Sequence, residues 1–190
     1  MNSLLGERQY KWLGLRGCWH LEFYNPADHE PGTISGSILN FKDRNDNAVK
    51  EWSERASTGL KSSGIQFHCI VRALGSSELQ PNGRKALDLL GHHLAKSLGS
   101  NYLPQILSKS RITKPMHTMK LADRQIEMDN VYMADPGNYD LNGKNILILD
   151  DVTTTNTTLK EILRALKTAW PKANFYFFCL GRTRRVDVTL

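Results

Sequence analysis

Apolar positions along this chain switch between two spacings, and the switches outline a fold. Between residues 46 and 60, Ala48, Val49, Trp52, Ala56 and Leu60 recur at helical spacing, which predicts an amphipathic helix stopped by Gly64. Residues 65–71 form a compact apolar run bounded by a turn, the pattern of a central strand. Leu87, Leu90, Leu94 and Leu98 mark a second helix over 84–98, with Gly99 as its C-terminal stop. Four consecutive apolar residues, 146–149, read as a buried strand. A third helix follows, with Leu159, Ile162, Leu163, Leu166 and Trp170 on one face, and then a last strand over 175–180. Shorter strands are expected at 19–24 and 131–134. Residues 108–129 show no sustained period and many charges, which suits a long loop of the kind that serves as a lid or binding loop. Strand, helix, strand, helix, strand describes an α/β domain with a central, mostly parallel sheet flanked by helices.

A chain of 190 residues is most simply one compact unit, able to bury roughly 70% of its unfolded surface. It holds no run of eighteen apolar residues and its first ten lack an apolar signal core, so neither a membrane span nor a leader is expected. Cys18, Cys69 and Cys179 lie far apart, two of them in strand-like runs, which suits buried, reduced thiols of a cytoplasmic protein. There is no C-x-x-C or His/Cys cluster, and His92 and His93, adjacent on a helix, point in different directions. The net charge of +6 favours anionic ligands. The excess is spread along the chain apart from Arg182-Thr-Arg-Arg185, so a solvated basic face fits better than a nucleic-acid site.

The chemistry concentrates in Asn145-Ile-Leu-Ile-Leu-Asp-Asp-Val-Thr-Thr-Thr-Asn-Thr-Thr158. A buried strand delivers two adjacent carboxylates, Asp150 and Asp151, and a hydroxyl-rich loop leads to a helix N-terminus. Carboxylates accept hydrogen bonds from vicinal ribose hydroxyls, while loop N–H groups and threonine hydroxyls cradle a phosphate. Other readings compete. Thr158-x-x-Glu161 is a capping box, so Thr158 would merely cap the helix. The strand also looks like a Walker B strand, but the nearest Walker A candidate, 137–144, has one residue too many and directly precedes it. A phospho-receiver domain would carry its acidic pair near its start.

The segment resembles the PRPP-binding motif of type I phosphoribosyltransferases: four apolar residues, D-D, apolar, x-T-T-G-x-T. Val152, Thr153, Thr154, Thr155, Thr157 and Thr158 fit, and Asn156 stands where the family has glycine. Asn is among the residues that best tolerate the left-handed backbone conformation such a glycine adopts. Residues 41–183 are further similar to the ComF family of phosphoribosyltransferase-like proteins. The similarity rests on Ile38-Leu-Asn-Phe-Lys42, His68-Cys-Ile-Val-Arg72, Pro81-Asn-Gly-Arg84, Leu94-Ala-Lys-Ser-Leu-Gly99, Leu107-Ser-Lys109, Thr113, Arg124, Asn130-Val131 and Leu180-Gly-Arg-Thr183. That family's four-cysteine zinc module is absent from the sequence, and its proline-rich first loop is replaced by Arg72-Ala-Leu-Gly-Ser-Ser77.

The resemblance implies a type I phosphoribosyltransferase fold with a small hood and flexible-loop region. Residues 1–40 would form an N-terminal extension or hood and 41–190 the phosphoribosyltransferase-like domain. Asp150 and Asp151 would be the catalytic pair, holding the ribose hydroxyls directly or through Mg2+ and its waters. Thr153, Thr154, Thr155, Asn156, Thr157 and Thr158 would bind the 5′-phosphate. Arg72, Ala73, Leu74, Gly75, Ser76 and Arg84 would bind pyrophosphate, with Ser77 adding a hydroxyl donor. Of the loop cations Arg111, Lys114, Lys120 and Arg124, only Arg124 holds a family-like position, and His117 has no visible partner. The implied reaction is attack of a nitrogenous acceptor on C1 of PRPP with loss of pyrophosphate; dimers are common in similar folds, so a homodimer is one expected assembly. The alternative is a non-catalytic PRPP- or nucleotide-binding module serving DNA uptake or a related nucleic-acid process. Direct binding of single-stranded DNA lacks an ordered basic-aromatic pattern. Trp12, Trp19 and Trp52 are expected to fill the core rather than stack a base.

Overall fold

The computed structural model of the chain describes residues 1–7, 10, 12–28, 30–115 and 119–183. The main sheet contains β1 (Asn2–Ser3), β2 (Gly17–Tyr24), β3 (Cys69–Arg72), β4 (Asn101–Tyr102), β7 (Asn145–Thr153) and β8 (Asn174–Thr183), in the order β1-β2-β8-β7-β3-β4. Every pairing is parallel except that of β1 with β2. The expected central, mostly parallel sheet flanked by helices is therefore present. A separate two-stranded antiparallel sheet joins β5 (Leu107–Lys109) to β6 (Tyr132–Ala134), so the strand expected at 131–134 lies outside the main sheet.

Both faces of the sheet are covered, which is why its strands read as continuous apolar runs. Side chains alternate between faces at a period of two. In β7, Leu147 and Leu149 face a core shared with α1 (Ile34–Lys42), α2 (Asp46–Lys61) and α3 (Ala86–Leu98). Ile146 and Ile148 face the opposite core, built with α5 (Thr157–Ala169), β5 and β6. Trp52 and Trp170 are fully enclosed, whereas Trp12 is 81% exposed and does not fill the core as expected. Cys18, Cys69 and Cys179 are buried free thiols.

Two helices departed from the hydrophobic pattern. α1 is rich in weak helix formers (Ser35, Gly36, Ser37, Asn40), yet Thr33 caps it by accepting the Gly36 N–H at 3.0 Å. α4 (Leu121–Met128) occupies part of the stretch expected to be loop. Two turns of helix are too short to display a sustained period, and Asn130, at φ 52, turns the chain directly afterwards.

Beneath the first core loop lies a buried ionic group. Arg72, at the end of β3, donates to Glu78 and Asp88 in two bidentate pairs: Nη1 and Nη2 to Glu78 at 3.0 and 2.9 Å, Nε and Nη2 to Asp88 at 2.6 and 3.0 Å. Nη1 also donates to the Ala73 carbonyl at 3.0 Å, so all five guanidinium N–H groups are used. Glu78 accepts the Gly75 N–H, and Asp88 accepts the Lys85 N–H and the Tyr102 hydroxyl. The Tyr102 ring can reach across α3 because position 91 is glycine; a Cβ there would stand 2.3 Å from the ring. The group thus ties β3, the following loop, the start of α3 and edge strand β4 together.

Burial alone would push the Glu78 and Asp88 carboxyls up, but Arg72 more than offsets it and holds both below the ordinary carboxylate range. Their contribution to stability is therefore complete above the unfolded carboxylate pKa, roughly 4, and is lost as pH falls through the lower folded values. Asp88→Asn leaves a buried guanidinium half-paired and is expected to cost about 3–5 kcal/mol, or roughly 6–20 °C in Tm at neutral pH. Thermal melts between pH 2.5 and 7 check this: the native chain should lose stability steeply below about pH 4, and the variant less steeply.

Candidate functional site

The carboxyl ends of β2, β3, β7 and β8 open onto one cavity of about 750 Å3, at the edge of the sheet where ligands bind in open α/β folds. The register sets what each strand delivers. Thr153 pairs with Arg182 and Tyr24 with Thr183, so the acidic end of β7 and the tip of β2 flank the end of β8. Asp150, Asp151 and every residue from Val152 to Thr158 line the cavity.

Asp150 and Asp151 are oriented by their own backbone. Asp150 Oδ1 accepts the Asp151 N–H at 2.9 Å, and Asp151 Oδ1 accepts the Val152 N–H at 2.5 Å. Lys42, at the last position of α1, reaches Asp151 Oδ2 at 3.4 Å. Burial, then the neighbouring Asp151 carboxylate, push Asp150 up to about 8, against the opposing Asp151 N–H and Lys42. Burial disfavours the Lys42 charge, but Asp151 and Asp150 more than offset it and hold Lys42 above its ordinary value. A crowded acidic pair with one cation in contact is a site that gains from a further positive charge. Two carboxylates offering hard oxygen donors fit Mg2+.

The loop after the acids enters α5 through Asn156, whose φ of 60° and ψ of 12° are left-handed. Asn occupies the conformation for which the resembled motif uses glycine. Thr153 Oγ1 donates to Asn156 Oδ1 at 2.9 Å, and Thr154 and Thr155 hydroxyls bond to Thr183 and Thr157 at 3.0 and 3.1 Å. The helix begins at Thr157, so Thr158 is not its cap. Glu161 accepts the Tyr132 N–H at 3.1 Å and pairs with Arg164, so the capping-box reading fails.

On the far side of the acids, Ala73, Leu74 and Ser76 line the same cavity. Gly75 lines a smaller one of about 280 Å3 beside it, shared with Lys42, Lys85, Asp150 and Asp151. The loop's amides are occupied internally: Ala73 N–H donates to the Leu149 carbonyl, Leu74 N–H to the Tyr132 hydroxyl and Gly75 N–H to Glu78. Arg72 borders the smaller cavity, with all five of its N–H donors bonded within the protein. Arg84 is exposed and outside both cavities, its carbonyl accepting from Arg44. Arg124 lines the large cavity and donates through Nε to the Met119 carbonyl. Arg111 is turned onto Glu127, and His117 lies outside the described residues.

Besides Arg124, the described cations that line the large cavity are Lys42 and Lys109, neither assigned a role from sequence. Lys109 Nζ donates to the Gly75 and Ser76 carbonyls and to Thr113 Oγ1, at 2.8, 3.3 and 3.0 Å, joining the loop to the segment that follows β5. Burial pushes its ammonium down to about 8, with Glu78 opposing. The available signal was positional: each ends a short apolar-to-lysine string that matched the family pattern. None of Trp12, Trp19 and Trp52 lines either cavity. An aromatic wall comes instead from Tyr24, beside Pro26 and Leu39.

No family model matches the chain, and no curated protein sequence matches it. Among solved structures it overlaps with the hypoxanthine phosphoribosyl transferase of Trypanosoma cruzi, at 12% identity over 82% of this chain and 69% of that one, with a TM-score of 0.44. It also overlaps with a hypoxanthine phosphoribosyltransferase of Staphylococcus aureus in two crystal forms, each at 16% identity. These cover 80% of this chain and 74% of that one at TM-score 0.35, and 83% and 72% at TM-score 0.37. Overlaps this loose carry no functional argument, and what the chain can do is read from its own residues.

Tyr132 is the latch of the loop, since its hydroxyl also donates to the Leu74 carbonyl at 3.1 Å. Tyr132→Phe strands a buried N–H and is expected to cost about 1–3 kcal/mol. Hydrogen exchange should show faster exchange at Leu74 and Gly75 than at the β7 amides; unchanged protection would disprove the latch.

Proposed function

We propose that this chain binds PRPP with magnesium and transfers the phosphoribosyl group to a nitrogenous acceptor, releasing pyrophosphate. One observation carries the reading: an adjacent carboxylate pair and a threonine-rich loop at a helix N-terminus line one cavity. Paired carboxylates suit the vicinal hydroxyls of a ribose, and the first turn of α5 offers unpaired N–H groups and a positive dipole end to its 5′-phosphate. In this reading both ends of one sugar phosphate are held at once.

In the reaction, the C1–O bond to pyrophosphate breaks as an acceptor nitrogen bonds to C1, and the acceptor's proton leaves to solvent. Positive charge gathers on the ring as the leaving oxygen takes the electron pair. Asp150 and Asp151 would stabilise that ring charge while keeping the sugar fixed, which is positioning plus electrostatics. Asp150 and Asp151 would also hold magnesium, which when bound would supply positive charge to offset that of the pyrophosphate. Lys109 adds positive charge on the side of the Ala73–Ser76 backbone, and Arg124 lines the same cavity. For pyrophosphate to use the Leu74 and Gly75 amides, the loop must release Tyr132 and Glu78. The acceptor would face the end formed by Tyr24, Pro26, Leu39 and Thr183.

Calorimetric titration of PRPP with magnesium should give saturable binding to the native chain, weakened at least about 100-fold in Asp150→Asn/Asp151→Asn. Pyrophosphate release in the presence of a panel of nitrogenous bases then tests transfer. Binding without release would leave a sensor of PRPP in place of an enzyme, and no binding by the native chain would end the phosphoribosyl reading.

A further inference from the structure

Thr158 and Glu161 pair as a capping box in the sequence, but that box does not form, and Glu161 is turned to another use. From the second turn of α5 the buried Glu161 side chain meets β6, where its Oε1 accepts the Tyr132 N–H at 3.1 Å. Three residues on, Arg164 donates through Nη2 to the Tyr132 carbonyl at 2.6 Å. The same guanidinium holds both oxygens of Glu161, through Nε and Nη2, each at 2.8 Å. Both backbone groups of Tyr132 are therefore gripped by one bidentate ion pair of α5.

At its other end Tyr132 grips the first core loop. The ring is fully buried, and its hydroxyl accepts the Leu74 N–H at 2.8 Å and donates to the Leu74 carbonyl at 3.1 Å. An unbroken chain thus runs from the ion pair through the Tyr132 backbone and ring to Leu74. α5 is also the helix that follows the threonine-rich loop of the cavity. Both halves of the cavity are referred to this one helix, one through its start and the other through Glu161 and Arg164.

We propose that Glu161 and Arg164 are positioning residues for the first core loop. By fixing the Tyr132 backbone to α5 they set where its hydroxyl stands, and so hold Leu74 and Gly75 in place beside the acidic pair. Neither residue lines either cavity, and both act through Tyr132. Without the pair, the Tyr132 N–H and carbonyl lose their partners on α5, and the strand must shift to find others. A shifted strand carries the hydroxyl away from Leu74. Giving that loop a pyrophosphate to bind rests on the phosphoribosyl reading; the coupling itself does not, and it is measured without ligand.

The test is amide hydrogen exchange on the full-length chain: native, Glu161→Leu and Glu161→Gln, each with and without Tyr132→Phe. Glu161→Leu keeps the bulk and deletes the acceptor, so the Leu74 amide should exchange about tenfold faster, well beyond any change at the β7 amides. Glu161→Gln keeps a carbonyl oxygen for the Tyr132 N–H and should restore most of the protection. In the Tyr132→Phe background the hydroxyl is already gone, so Glu161→Leu should add nothing further at Leu74. The proposal is overturned by native protection at Leu74 in Glu161→Leu, by failure of glutamine to restore it, or by effects of the two substitutions that simply multiply. If Glu161→Leu does not fold, Arg164→Met, at the exposed end of the pair, decides in its place: the same selective loosening at Leu74 supports the proposal and its absence overturns it. None of these outcomes touches the phosphoribosyl reading, which stands or falls on PRPP binding.

Discussion

The two-sided salt bridge of Arg72 with Glu78 and Asp88 is the constraint from which the site's layout follows. It sits where β3 ends, and its partners come from the loop that lies over the cavity floor and from the first turn of α3. A charge group this deep is not a source of net stability in itself. What it contributes is exclusivity, because any arrangement that separates one partner strands a charge in an apolar interior. Glu78 extends that exclusivity to the loop through Gly75, and Lys109 extends it to the segment beyond β5 through the neighbouring carbonyls. The floor on the Arg72 side of the acids is thus built around internal bonds.

The two halves of the cavity differ in the same respect. The half formed by β7 and α5 presents carboxylates, hydroxyls and a helix start. The half formed by residues 73–76 has its first three amides satisfied by a carbonyl, a phenol and a carboxylate. One half leaves the first amides of a helix without helical partners; the other has its amides bonded internally.

Much of this was legible in the sequence where periodicity and local chemistry coincide. The buried strand ending in Asp150-Asp151 and the amphipathic face of α5 are local features, and both are where their patterns place them. The left-handed conformation of Asn156 likewise follows from its own identity and its neighbours. The internal partners of Arg72 were not legible, because Glu78 and Asp88 stand six and sixteen residues away and no period links them. An arginine beside a strand end looks the same in sequence whether it meets a ligand or two buried acids. Lys42 and Lys109 posed the reverse problem: each is one lysine among many until the fold brings α1 and β5 to the cavity. α4 escaped notice because two turns of helix are too few to show a period.

Gly91 has a role that its position in mid-helix conceals. Glycine is the weakest helix former after proline, at about 1 kcal/mol less favourable than alanine. α3 nevertheless carries it where the Tyr102 ring crosses, and that ring's hydroxyl is bonded to Asp88. An alanine there, which helix propensity alone would favour, would drive the ring off the helix and its hydroxyl off the carboxylate. The residue least suited to α3 is in this sense an adjusting screw on the arginine's second partner, set in a helix and felt at the end of β3.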